Sequence, residues 1–146
     1  MLRIILSMVK SLEKIAKQKK IKYFLVTFVD LFGVQRAKLV PTRAIGEMQK
    51  TGAGFGGFAT HLDLSFSEPD MFALPDPESL IQLPWQPDVG WLASDLVMND
   101  EFMDQCPRVI LKSQINNLDK LNLKMMTGVE CEFFILNEDG TEVADN

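Results

Sequence analysis

The sequence holds little of what disulfide-rich, zinc-bound or nucleic-acid-binding proteins depend on. Of its 146 residues two are cysteine, Cys106 and Cys131, and one is histidine, His61. The cysteines form no CxxC pair, and with a single histidine they have no zinc-site spacing. Two cysteines make no secreted disulfide framework either, which leaves the cytoplasm as the default compartment. Basic charge is not in excess: 15 Lys and Arg stand against 20 Asp and Glu, a net charge of −5. That balance gives no pull toward nucleic acid or an anionic membrane. A local basic cluster (Lys14, Lys17, Lys19, Lys20 and Lys22) has no interleaved aromatics, and reads as the solvated face of a helix. Long hydrophobic runs are missing too. The apolar stretch at residues 4–9 is too short for a membrane helix, and Lys10 rather than a small-residue cleavage site follows it. Met8 offers an alternative start.

What is there suits an ordinary globular chain, 47% hydrophobic and 24% charged. The length allows one domain, or a small domain plus part of another. Val9, Leu12, Ile15 and Ala16 share one helical face within residues 8–20. Residues 23–29 are aromatic and β-branched and predict a strand. Asp30, Leu31, Phe32 and Gly33 form a turn in which Gly33 is free to take positive φ. Residues 34–40 predict a second strand, so the pair forms a β-hairpin. Arg36 and Lys38 fall on one face of that strand, Ala37 and Leu39 on the other. Pro41 and Thr42 open a short helix to about Lys50, with Thr42 as N-cap. Residues 51–63 are Gly-rich and irregular, and three prolines keep 67–78 extended or turning. Strands are expected at 80–83 and 90–97, a helix from Pro107 with Leu111, Ile115 and Leu118 as its apolar face, and a long strand at 124–136.

Chemistry is concentrated in Glu130-Cys131-Glu132. On a strand, residues two apart point the same way, so both carboxylates project from one face. Two carboxylates in an apolar run repel unless a cation or donor relieves them. A hard divalent ion such as Mg²⁺ or Mn²⁺ is one partner; a solvated sheet face or edge strand is the plain alternative. The glycines of residues 52–57 have the wrong context for a phosphate loop, with no leading apolar strand, no clear following helix and no Gly-Lys-Ser/Thr. Arg108, at a helix start, suits a salt bridge, and also phosphate or carboxylate binding. His61 has no matched acid or nucleophile and reads as a loop histidine. Trp85 and Trp91 read as core or interface anchors. Asp70, Asp76 and Asp95 sit at turns and strand ends, where Asp is ordinary.

Taken in order, these segments resemble the glutamine synthetase family across residues 10–137. Residues 23–41 resemble its N-terminal β-grasp hairpin. Pro69-Asp70-Met71 through Leu74-Pro75-Asp76, Leu83-Pro84-Trp85-Gln86-Pro87 and Ala93-Ser94-Asp95 resemble the segments that follow. Pro107-Arg108 resembles its Asp-Pro-Arg helix start, with Cys106 in place of the acid. Gly128-Val129-Glu130-Cys131-Glu132-Phe133 matches its Gly-x-Glu-x-Glu-Phe metal strand, with Cys131 where proline is common. The stretch from Gly52 to Ala59 looks most like the type III-like branch that includes γ-glutamylmethylamide synthetases. Gly56 stands near the position where many bacterial members carry an aspartate.

The resemblance implies an α+β fold, with a β-grasp domain at 1–105 and the first helix and strand of the catalytic α/β domain at 106–146. It implies an ATP-dependent ligase that makes a γ-glutamyl amide from glutamate and ammonia through γ-glutamyl phosphate, for glutamine biosynthesis. Glu130 and Glu132 would be ligands to Mg²⁺ or Mn²⁺. The implied assembly is a homo-oligomeric ring in which residues 51–63 face a neighbour's site. The ATP pocket and the remaining ligands of such an enzyme lie beyond residue 146, so the chain is expected to be an incomplete N-terminal part, inactive alone. Use of methylamine or a polyamine, and a non-catalytic β-grasp interaction module, are the competing expectations.

Overall fold

The computed structural model describes residues 10–144. The expected start of the first helix, with Met8 and Val9, lies outside them. Ser11 caps helix α1 (Leu12–Lys19), its hydroxyl accepting from the Lys14 amide. Leu12 and Ala16 bury the apolar face, and Lys20 ends the helix in the left-handed region at φ 57°. Strand β1 (Tyr23–Val29) and β2 (Gln35–Pro41) form the expected antiparallel hairpin, in register from Tyr23 opposite Pro41 to Val29 opposite Gln35. Helix α2 (Thr42–Thr51) follows at once. Thr42 is its first residue rather than its cap. Its hydroxyl instead donates to the Ile21 carbonyl at 2.8 Å, which ties the helix start to the entry of β1.

The stretch expected to be irregular contributes a strand, β3 (Ala53–Phe55), and the one expected to be extended or turning contributes another, β4 (Met71–Pro75). Glycine and proline dominate locally and predict no paired strand in either; pairing with neighbours overrides that preference. The short β5 (Ile81–Gln82), the ten-residue β6 (Val89–Met98) and the short β7 (Glu101–Phe102) complete one seven-stranded sheet. Its main path runs β2-β1-β6-β4-β3, with β5 and β7 also on β6. β6 lies parallel to β1 and antiparallel to β4, β5 and β7. Along β6 the burial alternates: Leu92, Ser94 and Leu96 are buried, while Ala93, Asp95 and Val97 face the other way. Phe24, Val26, Met71, Leu92, Leu96, Leu12 and Ile45 share one core.

Helix α3 (Pro107–Lys120) begins at Pro107 as expected, with buried Cys106 before it. Its expected apolar face is not covered: Leu111 and Ile115 are exposed, and no residue of α3 is buried. Beyond it the expected strand at 124–136 does not form a ladder. Among the described residues the stretch makes one isolated bridge, Leu136 to Val143. The composition is right for a strand, but no neighbouring strand supplies partners for its amides and carbonyls. The molecule is thus a mixed α+β fold with an unsupported C-terminal arm.

Candidate functional site

Three places carry chemistry-bearing side chains. The first is a charge cluster that holds α3 to the sheet. Asp76 follows β4, Asp95 projects from the odd-numbered face of β6, and Arg108 and Lys112 lie one turn apart on α3. Arg108 Nη2 donates to Asp76 Oδ2 at 2.6 Å and Nη1 to Asp95 Oδ1 at 2.5 Å. Lys112 Nζ donates to Asp95 Oδ2 at 2.5 Å. Burial pushes Asp76 up, but hydrogen bonds from Arg108 and the Glu78 amide and the charges of Arg108 and Lys112 outweigh it, so its carboxyl ends below its usual value. Burial opposes the Arg108 charge, yet both aspartates leave it more firmly protonated than usual. The structural expectation for Arg108 holds. Asp76 and Asp95 were read as ordinary turn residues; their shared partner is invisible in sequence because they stand 19 positions apart and meet only through sheet pairing.

The second place lies between the hairpin tip and the Gly-rich loop. Asp30 is buried at the turn, where its Oδ1 accepts from the Phe32 and Val34 amides, each at 2.9 Å. Its Oδ2 accepts from Arg36 Nε at 3.0 Å. Burial raises its pKa, but these donors outweigh that and leave it below its usual value. Gly33 takes φ +77°, as expected of the turn. With the turn fixed in this way, Leu31 and Phe32 point outward. Across from them a 3₁₀ turn (Gly57–Ala59) carries Phe58, and His61 follows at φ 52°. Phe32 and His61 meet edge to face with centroids 5.4 Å apart, and Phe58 stacks on Phe66 at 4.4 Å. An open cavity of about 460 Å³ is lined by Leu31, Phe32, Phe58, His61, Asp63 and neighbouring leucines. The glycines here answer to packing. At Gly52 φ is +82°, and a Cβ would sit 2.9 Å from Phe72 Cβ and 3.1 Å from the Ala73 carbonyl oxygen. No eight-residue helix follows the glycines to cradle a phosphate.

The third place is the arm. Glu130 and Glu132 are both exposed, on backbone that belongs to no ladder. Among the described residues no group of three or more His, Cys, Asp or Glu side chains is gathered closely enough to hold a metal ion. The pair supplies hard oxygen donors of the kind Mg²⁺ and Mn²⁺ take, but two carboxylates do not complete either ion's coordination. Trp85, read as a core or interface anchor, is 79% exposed, so it takes no part in the core. Trp91 is half-buried on β6.

No family model matches the chain. Individual proteins do. It is 53% identical over 138 residues to a glutamine synthetase of Rhizobium leguminosarum bv. phaseoli, covering 94% of this chain and 32% of that protein. It is 30% identical over 128 residues to a glutamate–methylamine ligase of Methyloversatilis universalis, covering 86% of this chain and 29% of the other. A solved structure described as "Apo GmaS without ligand" superposes with a TM-score of 0.87 at 51% identity, over 92% of this chain and 32% of that one. The chain therefore spans about a third of the length of the relatives it matches. Half identity along nearly the whole chain, with the same backbone course, places it over the stretch it spans in the glutamine synthetase family.

Proposed function

We propose that the chain is the N-terminal part of an ATP-dependent ligase that joins the γ-carboxylate of glutamate to ammonia or a small amine through γ-glutamyl phosphate. The observation that carries this is 53% identity over 94% of the chain to a protein named glutamine synthetase. Residues 1–105 are read as a β-grasp domain. The parallel pairing of β1 with β6 beside the β1–β2 hairpin, with α2 following the hairpin, supports that reading. Residues 106–146 are read as the opening of a catalytic domain, a division supported by the exposed apolar side chains of α3 and the arm, none of which joins the core of the first region.

In this reading Glu130 and Glu132 hold a divalent ion, Mg²⁺ or Mn²⁺, together with donors from outside this stretch. Such an ion, when bound, neutralises phosphate charge during phosphoryl transfer. The arm's residues supply oxygen donors and an apolar surface that further chain covers. The Gly-rich loop faces a neighbouring copy's site in a ring of cytoplasmic subunits; exposed Phe32, Phe58 and Phe66 are consistent with a covered interface there.

A second reading, with methylamine as the acceptor, is favoured by the similarity to a glutamate–methylamine ligase and to GmaS structures. The identities are 53% to the protein named glutamine synthetase and 30% to the one named glutamate–methylamine ligase. The test is a γ-glutamyl hydroxamate assay with glutamate, ATP and hydroxylamine. The longer protein carrying this chain is expected to be active, and the 146-residue chain alone inactive. Glu130→Gln in the longer protein is expected to lose at least about tenfold in activity, since even outer-shell partners of metal ligands contribute that much. Activity in the isolated chain, or none in the longer protein, overturns the reading. Rates with methylamine against ammonia then decide the acceptor.

A further inference from the structure

The two ends of the sheet path are β2 and β3. In a flat sheet they would lie four strand spacings apart, roughly 19 Å. Side chains of this molecule close that gap. Lys38 of β2 donates from Nζ to the Gly54 carbonyl of β3. The same Nζ sits 4.8 Å from the centroid of the Phe55 ring. Phe28 of β1 meets that ring edge to face, with centroids 5.0 Å apart and planes at 88°. Twist accumulated across the strands therefore curls the sheet until its edges face each other. Among the described residues no ladder closes the gap: β3 pairs with β4 alone, and β2 with β1 alone.

We propose that Lys38 is the clasp of this curled sheet and the positioning residue of the Gly-rich turn at residues 56–62. The chemistry fits one cation and two acceptors. A carbonyl and a ring face both attract the ammonium, and they belong to adjacent residues of one short strand. β3 is only three residues long and is followed directly by the turn, so what holds Gly54 and Phe55 also sets where Gly57, Phe58 and His61 stand. Lys38 acts midway along the hairpin, opposite Val26, while Phe32 touches His61 at its tip. A charged side chain on a free edge also keeps the edge from pairing with another sheet. This inference does not depend on which reaction the protein catalyses.

Amide hydrogen exchange in the full chain tests it. The probes are the Ala59 and Thr60 amides, which bond to the Gly56 and Gly57 carbonyls at 3.2 and 3.0 Å. The controls are Ile15 and Ile21 of the α1 region, bonded to Ser11 and Ala16. Lys38→Met keeps the apolar stem and removes the charge. It is expected to speed exchange at Ala59 and Thr60 by roughly three- to tenfold, the range that follows from losing an exposed cation–π contact and a hydrogen bond. Ile15 and Ile21 should not change, and Lys38→Arg, which keeps the cation, should stay near the parent rate. Equal rates in Lys38→Met and parent overturn the proposal. So does a uniform rise at probes and controls, which reports general destabilisation. Loss of protection in Lys38→Arg equal to that in Lys38→Met also overturns it, because the cation would then not be what holds the turn.

Discussion

Residues 12–103 and residues 107–144 treat their apolar side chains in opposite ways. In the first region Phe24, Leu92, Leu96 and Met71 are fully buried, and every long strand has a partner. In the second, Val129 is 90% and Phe134 80% exposed, although the composition is as strand-like as that of β1. The difference lies in the neighbours. A strand becomes a strand when another backbone takes up its donors and acceptors and another surface covers one face. β1 has β2, β6 and two helices for this; the arm has one bridge. α3 joins the regions and shares the character of both. Charge holds it at its first turns, while its apolar side stays open beside the arm.

That contrast can be broken most forcefully from the core side. Leu96→Ala is expected to lower stability by about 3 kcal/mol, the middle of the range for emptying a buried leucine site. Phe134→Ala should change it by less than about 0.5 kcal/mol, as for a surface position. Thermal or urea unfolding of the two variants checks both. Equal losses would mean that the arm folds onto the body.

The hinge between the regions comes next. Arg108→Met leaves Asp76 without its main partner and Asp95 with Lys112 alone. The expected cost is about 1 kcal/mol, since the pairs are partly exposed and screened. Faster amide exchange confined to α3, and a larger effect at low salt than at high salt, would locate the loss in docking rather than in the core.

The hairpin turn supplies the pH test. Asp30 has a carboxyl lowered from the ordinary 3.8, so its charged form is favoured by folding. Its contribution is complete above that unfolded value and is lost as pH falls through the lower folded one. Asp30→Asn should therefore flatten the acid limb of the stability–pH curve below about pH 4 and leave the neutral region with a constant offset. An unchanged acid limb would show that other carboxylates carry the acid transition.

Local pattern made much of this legible. The hairpin with Gly33 at its turn, α2, β6 and the start of α3 at Pro107 follow from alternation, helical spacing and the conformational limits of glycine and proline. β3 and β4 were not legible as paired strands, because glycine and proline dominate there, and only the register of β4 on β6 and of β3 on β4 makes them so. The strand at 124–136 was legible as a propensity and absent as a structure for the converse reason. Glu130 and Glu132 are singled out as proposed ligands by their spacing in a family-like motif. The partnership of Asp76, Asp95, Arg108 and Lys112 has no spacing signal at all.

Which segments can be helix, strand or turn, and the family likeness, both reside in local order along the chain. The folded arrangement alone sets which strands find partners and which acids share a cation. It also decided that Lys38 reaches a strand at the opposite end of the sheet path. Those outcomes depend on long-range pairing and on the twist that accumulates over successive strands, and no local stretch of residues encodes them.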